Sequence, residues 1–232
     1  MPTRPLALAV LLVAWAVPPA AAQGAPPDTT VLPPNTEPYE VGVLRSVYGA
    51  DAEPFVVAMR GVNASAYPVF LGAAPALWSG ALLTGTDTRP ALRLTLAEAG
   101  AVGLTFALKN LIRRPRPYAA LPGVRARERS HQGDDVFDPH SFPSGHTSTA
   151  FSIATSLSLS YPEWYVIAPA AAWAGGMGLT RVWHGVHYPS DVLAGAALGV
   201  GAAVLVQVLV PTSDDVECGA CAVAPVAFVI PL

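Results

Sequence analysis

Five apolar segments separated by short polar junctions constrain this chain more than any other feature. They run Tyr67–Leu83, Ala91–Ile112, His146–Tyr161, Tyr165–Thr180 and Asp191–Val210. A helix needs about 20 apolar residues to cross bilayer hydrocarbon, where backbone N–H and C=O groups must bond within the segment. Several of these segments are slightly shorter, a length that compact helices inside a bundle tolerate. Apolar residues make up 52% of the chain and charged residues only 12%. That is about half the charge usual in a soluble domain. The pattern predicts an all-α, membrane-embedded helical bundle of about five core helices. The third segment is crowded with Ser and Thr, and the fifth carries Gly195-x-x-x-Gly199. Small residues of this kind let helices approach closely in lipid. Glu98, inside the second segment, is either satisfied by a neighbouring helix or part of a site.

Before the bundle, residues 1–22 read as a signal peptide. Arg4 precedes an apolar run from Pro5 to Val17, and Ala20-Ala21-Ala22 follows. An anchor kept uncleaved is the alternative. Residues 23–40, rich in Pro, Thr and Asn, read as a flexible linker. Residues 41–212 form the main domain and residues 213–232 a C-terminal tail. Within the domain, 41–62 reads as an amphipathic or interfacial segment with Leu44, Val47, Tyr48, Phe55 and Met59 as its apolar members. In the tail, Cys218-x-x-Cys221 lacks the second pair or the histidines that zinc needs. It reads as a small turn, with or without a disulfide. Residues 222–232 alternate weakly and could form one strand.

Charge is placed unevenly. The formal net charge is -3, yet eight of the 13 basic residues lie between Lys109 and Arg181. Lys109 is the only lysine. A basic cluster in a charge-poor chain points to an anionic ligand. Nucleic acid fits poorly, because no recognition helix, zinc pattern or stacking motif accompanies the cluster.

Three blocks carry the chemistry. They are Lys109-x6-Arg116-Pro117, Pro143-Ser144-Gly145-His146 and Thr180-Arg181-x5-His187-x3-Asp191. Each lies at the end of an apolar segment. With a cleaved signal peptide, helix parity places the 113–145 loop and the 181–190 junction on one external face. The positive-inside rule disagrees, but arginines that hold substrate would spoil that statistic. Lys109, Arg116 and Arg181 supply cationic donors suited to phosphate oxygens. Ser144 and the Gly145 N–H add donors at a helix start, where the dipole favours an anion. Such a cage stabilises a trigonal-bipyramidal phosphorus centre. His187 can attack phosphorus, Asp191 can hold its other ring nitrogen, and His146 can protonate the leaving alkoxide. This chemistry requires no metal and no cofactor. Taken singly, these residues have plainer readings, as interfacial anchors at a helix end or as an Arg181–Asp191 ion pair. Trp183 and Tyr188 could be interfacial anchors. Arg113, Arg114, Arg125, Arg127 and Arg129 could meet headgroups or a diphosphate. His131, Asp134, Asp135, Asp138 and His140 fit no common metal-ligand spacing and read as a solvated lid.

The combined blocks resemble the signature of the type 2 phosphatidic acid phosphatase superfamily, which includes bacterial acid phosphatases and vanadium haloperoxidases. That signature is Lys-x6-Arg-Pro, Pro-Ser-Gly-His and Ser-Arg-x5-His-x3-Asp. Thr180 replaces its serine here and keeps a hydroxyl. The resemblance covers about residues 67–210. It implies that Lys109, Arg116, Ser144, Gly145 and Arg181 hold phosphate, that His187 is the nucleophile, His146 the acid and Asp191 the partner of His187. It implies a metal-independent membrane phosphatase acting on a lipid phosphate or diphosphate at the outer face of an inner membrane. The alternatives are a vanadium-dependent haloperoxidase, a soluble periplasmic acid phosphatase and a non-catalytic phosphate-binding membrane protein. The sequence chooses neither the lipid nor the oligomeric state.

Overall fold

The computed structural model describes residues 38–127 and 139–211. The expected signal peptide, Cys218, Cys221 and the 222–232 stretch lie outside the described residues. So do positions 131–138 of the expected lid. Eight helices occupy the described part: α1 Pro38–Tyr48, α2 Glu53–Ala64, α3 Ala66–Thr84, α4 Arg89–Ile112, α5 Pro117–Ala120, α6 Gly145–Ser160, α7 Trp164–Trp183 and α8 Pro189–Leu209. Among the described residues there is no sheet, only an isolated bridge between Pro115 and His140. The fold is all-α, as the segments predict, and the five apolar segments correspond to α3, α4, α6, α7 and α8.

Local sequence explains the helix ends. A proline stands in the first turn of α2, α4, α5 and α8, where a missing N–H costs nothing and the fixed φ suits a helix. Gly85 ends α3 in the left-handed region at φ 68°. The stretch 41–62, read from sequence as one segment, is two helices. The chain leaves α1 after Tyr48, and Pro54 starts α2 anew.

α6 is the central helix and packs against α4, α7 and α8. Its Ser and Thr content follows from that place. Thr147, Ser148, Ala150, Ser152 and Ala154 are buried, so the face toward its neighbours is made of small side chains. Gly195 and Gly199 bring α8 onto it: a β-carbon at Gly195 would lie 2.5 Å from the Ser144 carbonyl oxygen. The Gly-x-x-x-Gly pair thus serves packing within the chain.

α3, α4 and α8 are long and apolar enough to cross a membrane. Leu71 and Leu83 on α3, Phe106 and Leu111 on α4, and Leu193 and Leu209 on α8 are exposed, the arrangement expected where lipid is the solvent. At the far end of the bundle, buried Arg93 on α4 donates from Nε to the Val210 carbonyl at 2.7 Å, capping the end of α8. Glu98 lies eleven residues before Lys109, about 16 Å down the helix axis. It is therefore remote from the blocks at the other end.

Two buried clusters flank the bundle. Ala66, Ala150, Ala154, Ala174 and Met177 join α3, α6 and α7, with Phe70 and Trp173 against them. Leu44, Val124, Val182 and Tyr188 seat α1 on the α7–α8 turn.

Candidate active site

The last turn of α4 supplies the first block. Lys109 is buried and donates from Nζ to the His140 carbonyl at 2.7 Å. Arg113 then turns the chain in the left-handed region at φ 52°. Pro115 and Pro117 keep it from continuing as helix, and Arg116 caps α5 with extended backbone. The Ser141 N–H donates to the Arg114 carbonyl at 2.8 Å. The first block is thereby tied to the strand of chain that leads into the second.

Ser144 is the N-cap of α6 and is fully buried. Its N–H donates to the Asp191 carbonyl at 3.0 Å. Its hydroxyl accepts from Thr147 Oγ1 at 2.9 Å. A β-carbon at Gly145 would lie 3.5 Å from the Thr105 methyl, so α4 approaches the head of α6 closely. The first N–H groups of α6 have no intrahelical acceptor and face an anion favourably.

The third block folds back on itself. Thr180 donates to the Met177 carbonyl at 2.7 Å and accepts from Arg181 Nε at 3.0 Å. The hydroxyl that replaces serine in the signature therefore aims the arginine. After α7 the chain turns at Gly185, φ 74°, where a β-carbon would meet the Val124 side chain at 2.9 Å and the Arg125 carbonyl at 3.0 Å. The Val186 and His187 N–H groups both donate to the Arg181 carbonyl, at 3.2 and 3.3 Å. This tight turn places His187 in the interior, 3% exposed. Its Nδ1 lies 3.6 Å from Asp191 Oδ2, longer than a hydrogen bond. His184, three residues earlier, is engaged elsewhere: its Nδ1 contacts the Thr180 carbonyl at 2.6 Å and its ring meets Trp183.

His146 stands at the head of α6, outside the three membrane-capable helices. Burial, and then the positive charge of Arg181, His187, Arg116 and Lys109, holds its ring well below the ordinary imidazole range. Direct contacts link the three blocks: Lys109 to the His140 carbonyl, the Ser141 N–H to the Arg114 carbonyl, and the Ser144 N–H to the Asp191 carbonyl. On its other side His146 meets the edges of Tyr67 and Phe70 on α3, each at 5.6 Å between ring centroids.

Several residues take places that sequence alone does not show. Asp191 does not pair with Arg181. Its Oδ1 accepts from Arg114 Nη1 at 2.8 Å, and Arg114 also bridges to Glu40 on α1 at 2.9 Å. Arg127 lies over the rings of Tyr48 and Trp183 and donates to the Tyr48 carbonyl. Trp183 and Tyr188 are not interfacial anchors. Both are 2% exposed: Trp183 donates to the Ala50 carbonyl at 3.0 Å, and Tyr188 lies under the Arg114 guanidinium.

Comparison with known proteins fits this geometry. Residues 90–215 match the model of the PAP2 superfamily. Over 95 residues the chain is 41% identical to the bacitracin transport permease protein BcrC of Bacillus licheniformis, covering 39% of this chain and 41% of that protein. Over 107 residues it is 41% identical to a lipid A 1-phosphatase of Rhizobium johnstonii, covering 46% of this chain and 42% of that one. The chain thus spans about two-fifths of the length of these curated relatives. Among solved structures it is similar to Aquifex aeolicus LpxE, with a TM-score of 0.56 and 27% identity, over 72% of this chain and 93% of the other. The family match takes in more than half of the chain and all three blocks, and the chain belongs to the PAP2 superfamily.

Proposed function

We propose that the chain is a phosphatase of a lipid phosphate or lipid diphosphate, working through a phosphohistidine at His187. The observation that carries this reading is the tying of the three blocks at the head of α6: Lys109 Nζ donates to the His140 carbonyl, the Ser144 N–H donates to the Asp191 carbonyl, and Asp191 stands beside His187. Lys109, Arg116, Arg181, Ser144 and the Gly145 N–H hold the phosphoryl oxygens and take up charge as it develops on them. His187 attacks through Nε2, since Nδ1 is on the Asp191 side. The N–P bond forms as the P–O bond to the leaving alkoxide breaks, and His146 gives that oxygen its proton. Water then attacks phosphorus, His146 takes a proton from it, and the N–P bond breaks to release phosphate. The cations of the cage supply the neutralisation that this step needs, so no metal or cofactor enters it.

A lipid substrate is favoured by the surroundings of the site. The proposed acid lies against Tyr67 and Phe70 of α3, and α3 is a membrane-capable helix. The leaving group therefore departs on an apolar side. Relatives named lipid A 1-phosphatase and decaprenylphosphoryl-5-phosphoribose phosphatase support the same class. The place we assign is a bacterial-type inner membrane, with the site on the periplasmic face and membrane lipids as the immediate partners.

The test is phosphate release from phosphatidic acid, a prenyl diphosphate and lipid A, comparing wild type with His187→Ala in detergent. Wild type should release phosphate from at least one of them, and the variant should lose on the order of 10⁴-fold or more in turnover. An active His187→Ala variant would sink the phosphohistidine.

A further inference from the structure

The charge network behind His187 extends beyond the signature residues. Asp191 is fully buried, and both its oxygens are engaged. Oδ2 accepts from the Tyr188 N–H at 2.7 Å and faces His187 Nδ1 at 3.6 Å. Oδ1 accepts from Arg114 Nη1 at 2.8 Å. The same guanidinium nitrogen reaches Ser190 Oγ at 2.7 Å, and Nη2 donates to Glu40 Oε2 at 2.9 Å. The guanidinium carbon lies 3.8 Å from the centre of the Tyr188 ring. Glu40 Oε1 accepts from the Ser190 N–H at 3.0 Å and from the Ser190 hydroxyl. Charges of alternating sign thus run from α1 to the imidazole: Glu40, Arg114, Asp191, His187.

A buried carboxylate without a counter-charge is costly and readily loses its ionised form. Arg114 supplies that charge to Asp191, and its planar fork fits two carboxylates at once. Glu40 in turn fixes Arg114 and the first turn of α8 together. It lies outside the 90–215 stretch that the family model matches, so α1 adds a part that the signature does not contain.

We infer that Arg114 and Glu40 are positioning residues for the attack on phosphorus. They hold the Asp191 carboxylate, and through it the His187 ring, in the attacking orientation. This rests on the phosphatase reading above. Arg114 is not assigned to substrate, because Nη1 and Nη2 are both spent on side chains of the chain itself.

The experiment compares full-length wild type, Arg114→Gln, Arg114→Lys and Glu40→Gln in detergent. The probes are a long-chain alkyl phosphate and nitrophenyl phosphate, with a thermal melt for each variant. Arg114→Gln should lower kcat about 100-fold with KM within about 3-fold, since only the attacking geometry suffers. The loss should be similar on both probes, because the same imidazole attacks both and the leaving-group proton comes from His146, which this network does not hold. Arg114→Lys should recover part of it, and Glu40→Gln should lose about 10-fold. A raised KM with kcat intact would overturn the inference by making Arg114 a substrate ligand. Variants that melt earlier yet turn over normally would overturn it by making the network structural only. If Arg114→Gln fails to fold, Glu40→Gln decides: it keeps the shape of the side chain and an amide for Ser190. Turnover within about 2-fold of wild type would then reject the role. Wild type inactive on both probes would remove the phosphatase reading and this role with it. Active wild type with unaffected variants would remove this role alone.

Discussion

Gly199 on α8 rests on the carbonyl oxygen of Ser148 on α6: an added β-carbon would lie 2.2 Å from that oxygen and 2.8 Å from the Ser152 nitrogen. Both are backbone atoms and cannot swing aside. Gly199→Ala should therefore force α8 outward and cost about 1–3 kcal/mol or more. Gly201→Ala, where an added β-carbon meets nothing within 4 Å, should leave stability unchanged or slightly raised. Thermal unfolding in one detergent checks both, and equal effects would mean that α6 and α8 do not pack in this register.

The proposed acid is separable from the proposed nucleophile by the leaving group. An alkoxide needs a proton and a nitrophenolate does not. His146→Ala should lose about 10²–10⁴-fold on an alkyl phosphate and far less on nitrophenyl phosphate. Comparable losses on the two substrates would assign His146 to phosphate holding.

Binding of the anion should draw in a proton. Burial and the surrounding cations hold the His146 ring well below its ordinary value of 6.5. An oxyanion offsets those cations and lifts the ring back. Inorganic phosphate or orthovanadate should therefore bind with net proton uptake by this ring, read by calorimetry in buffers of different ionisation enthalpy. His146→Asn should abolish the uptake. The same shift has a sign for stability. Below about 6.5 the unfolded chain protonates this histidine and the native chain does not, so His146 makes stability fall as pH falls through that range.

Thr180 is accessible to a three-way comparison. Its hydroxyl accepts from Arg181 Nε and donates to the Met177 carbonyl. Thr180→Ser keeps both bonds and should be near neutral. Thr180→Val keeps the shape and leaves Arg181 Nε without this acceptor, a loss of about 1.5–3 kcal/mol for a bond to a charged group. The deficit should appear as weaker vanadate inhibition.

The bundle was legible because its segments are long and apolar, and because chemistry at helix ends leaves compact blocks. Lys109, Ser144 and His187 could be picked out without coordinates for that reason. The break between α1 and α2 was not legible: Tyr48 and Phe55 share apolar character, and only the turn at 49–52 separates them. Arg114 was hidden inside a run of arginines, with nothing to single it out from Arg113 or Arg116. Its partners Glu40 and Asp191 lie 74 and 77 residues away, and a buried ion pair over such distances leaves no periodic trace. Tyr67 and Phe70 read as ordinary span residues, since only packing brings them to His146. Trp183 and Tyr188 look like interfacial aromatics by type, but α1, α2 and Arg114 cover them.

The bond from the Ser144 N–H to the Asp191 carbonyl bolts the heads of α6 and α8 together, and the glycines below keep the two rods from sliding apart. The proposed anion grip consequently spans two helix heads that are fastened to each other. Spreading it to admit a bulkier molecule would sacrifice that bond. Related chains that accept different molecules are therefore expected to differ on the α3 side, where Tyr67 and Phe70 meet His146.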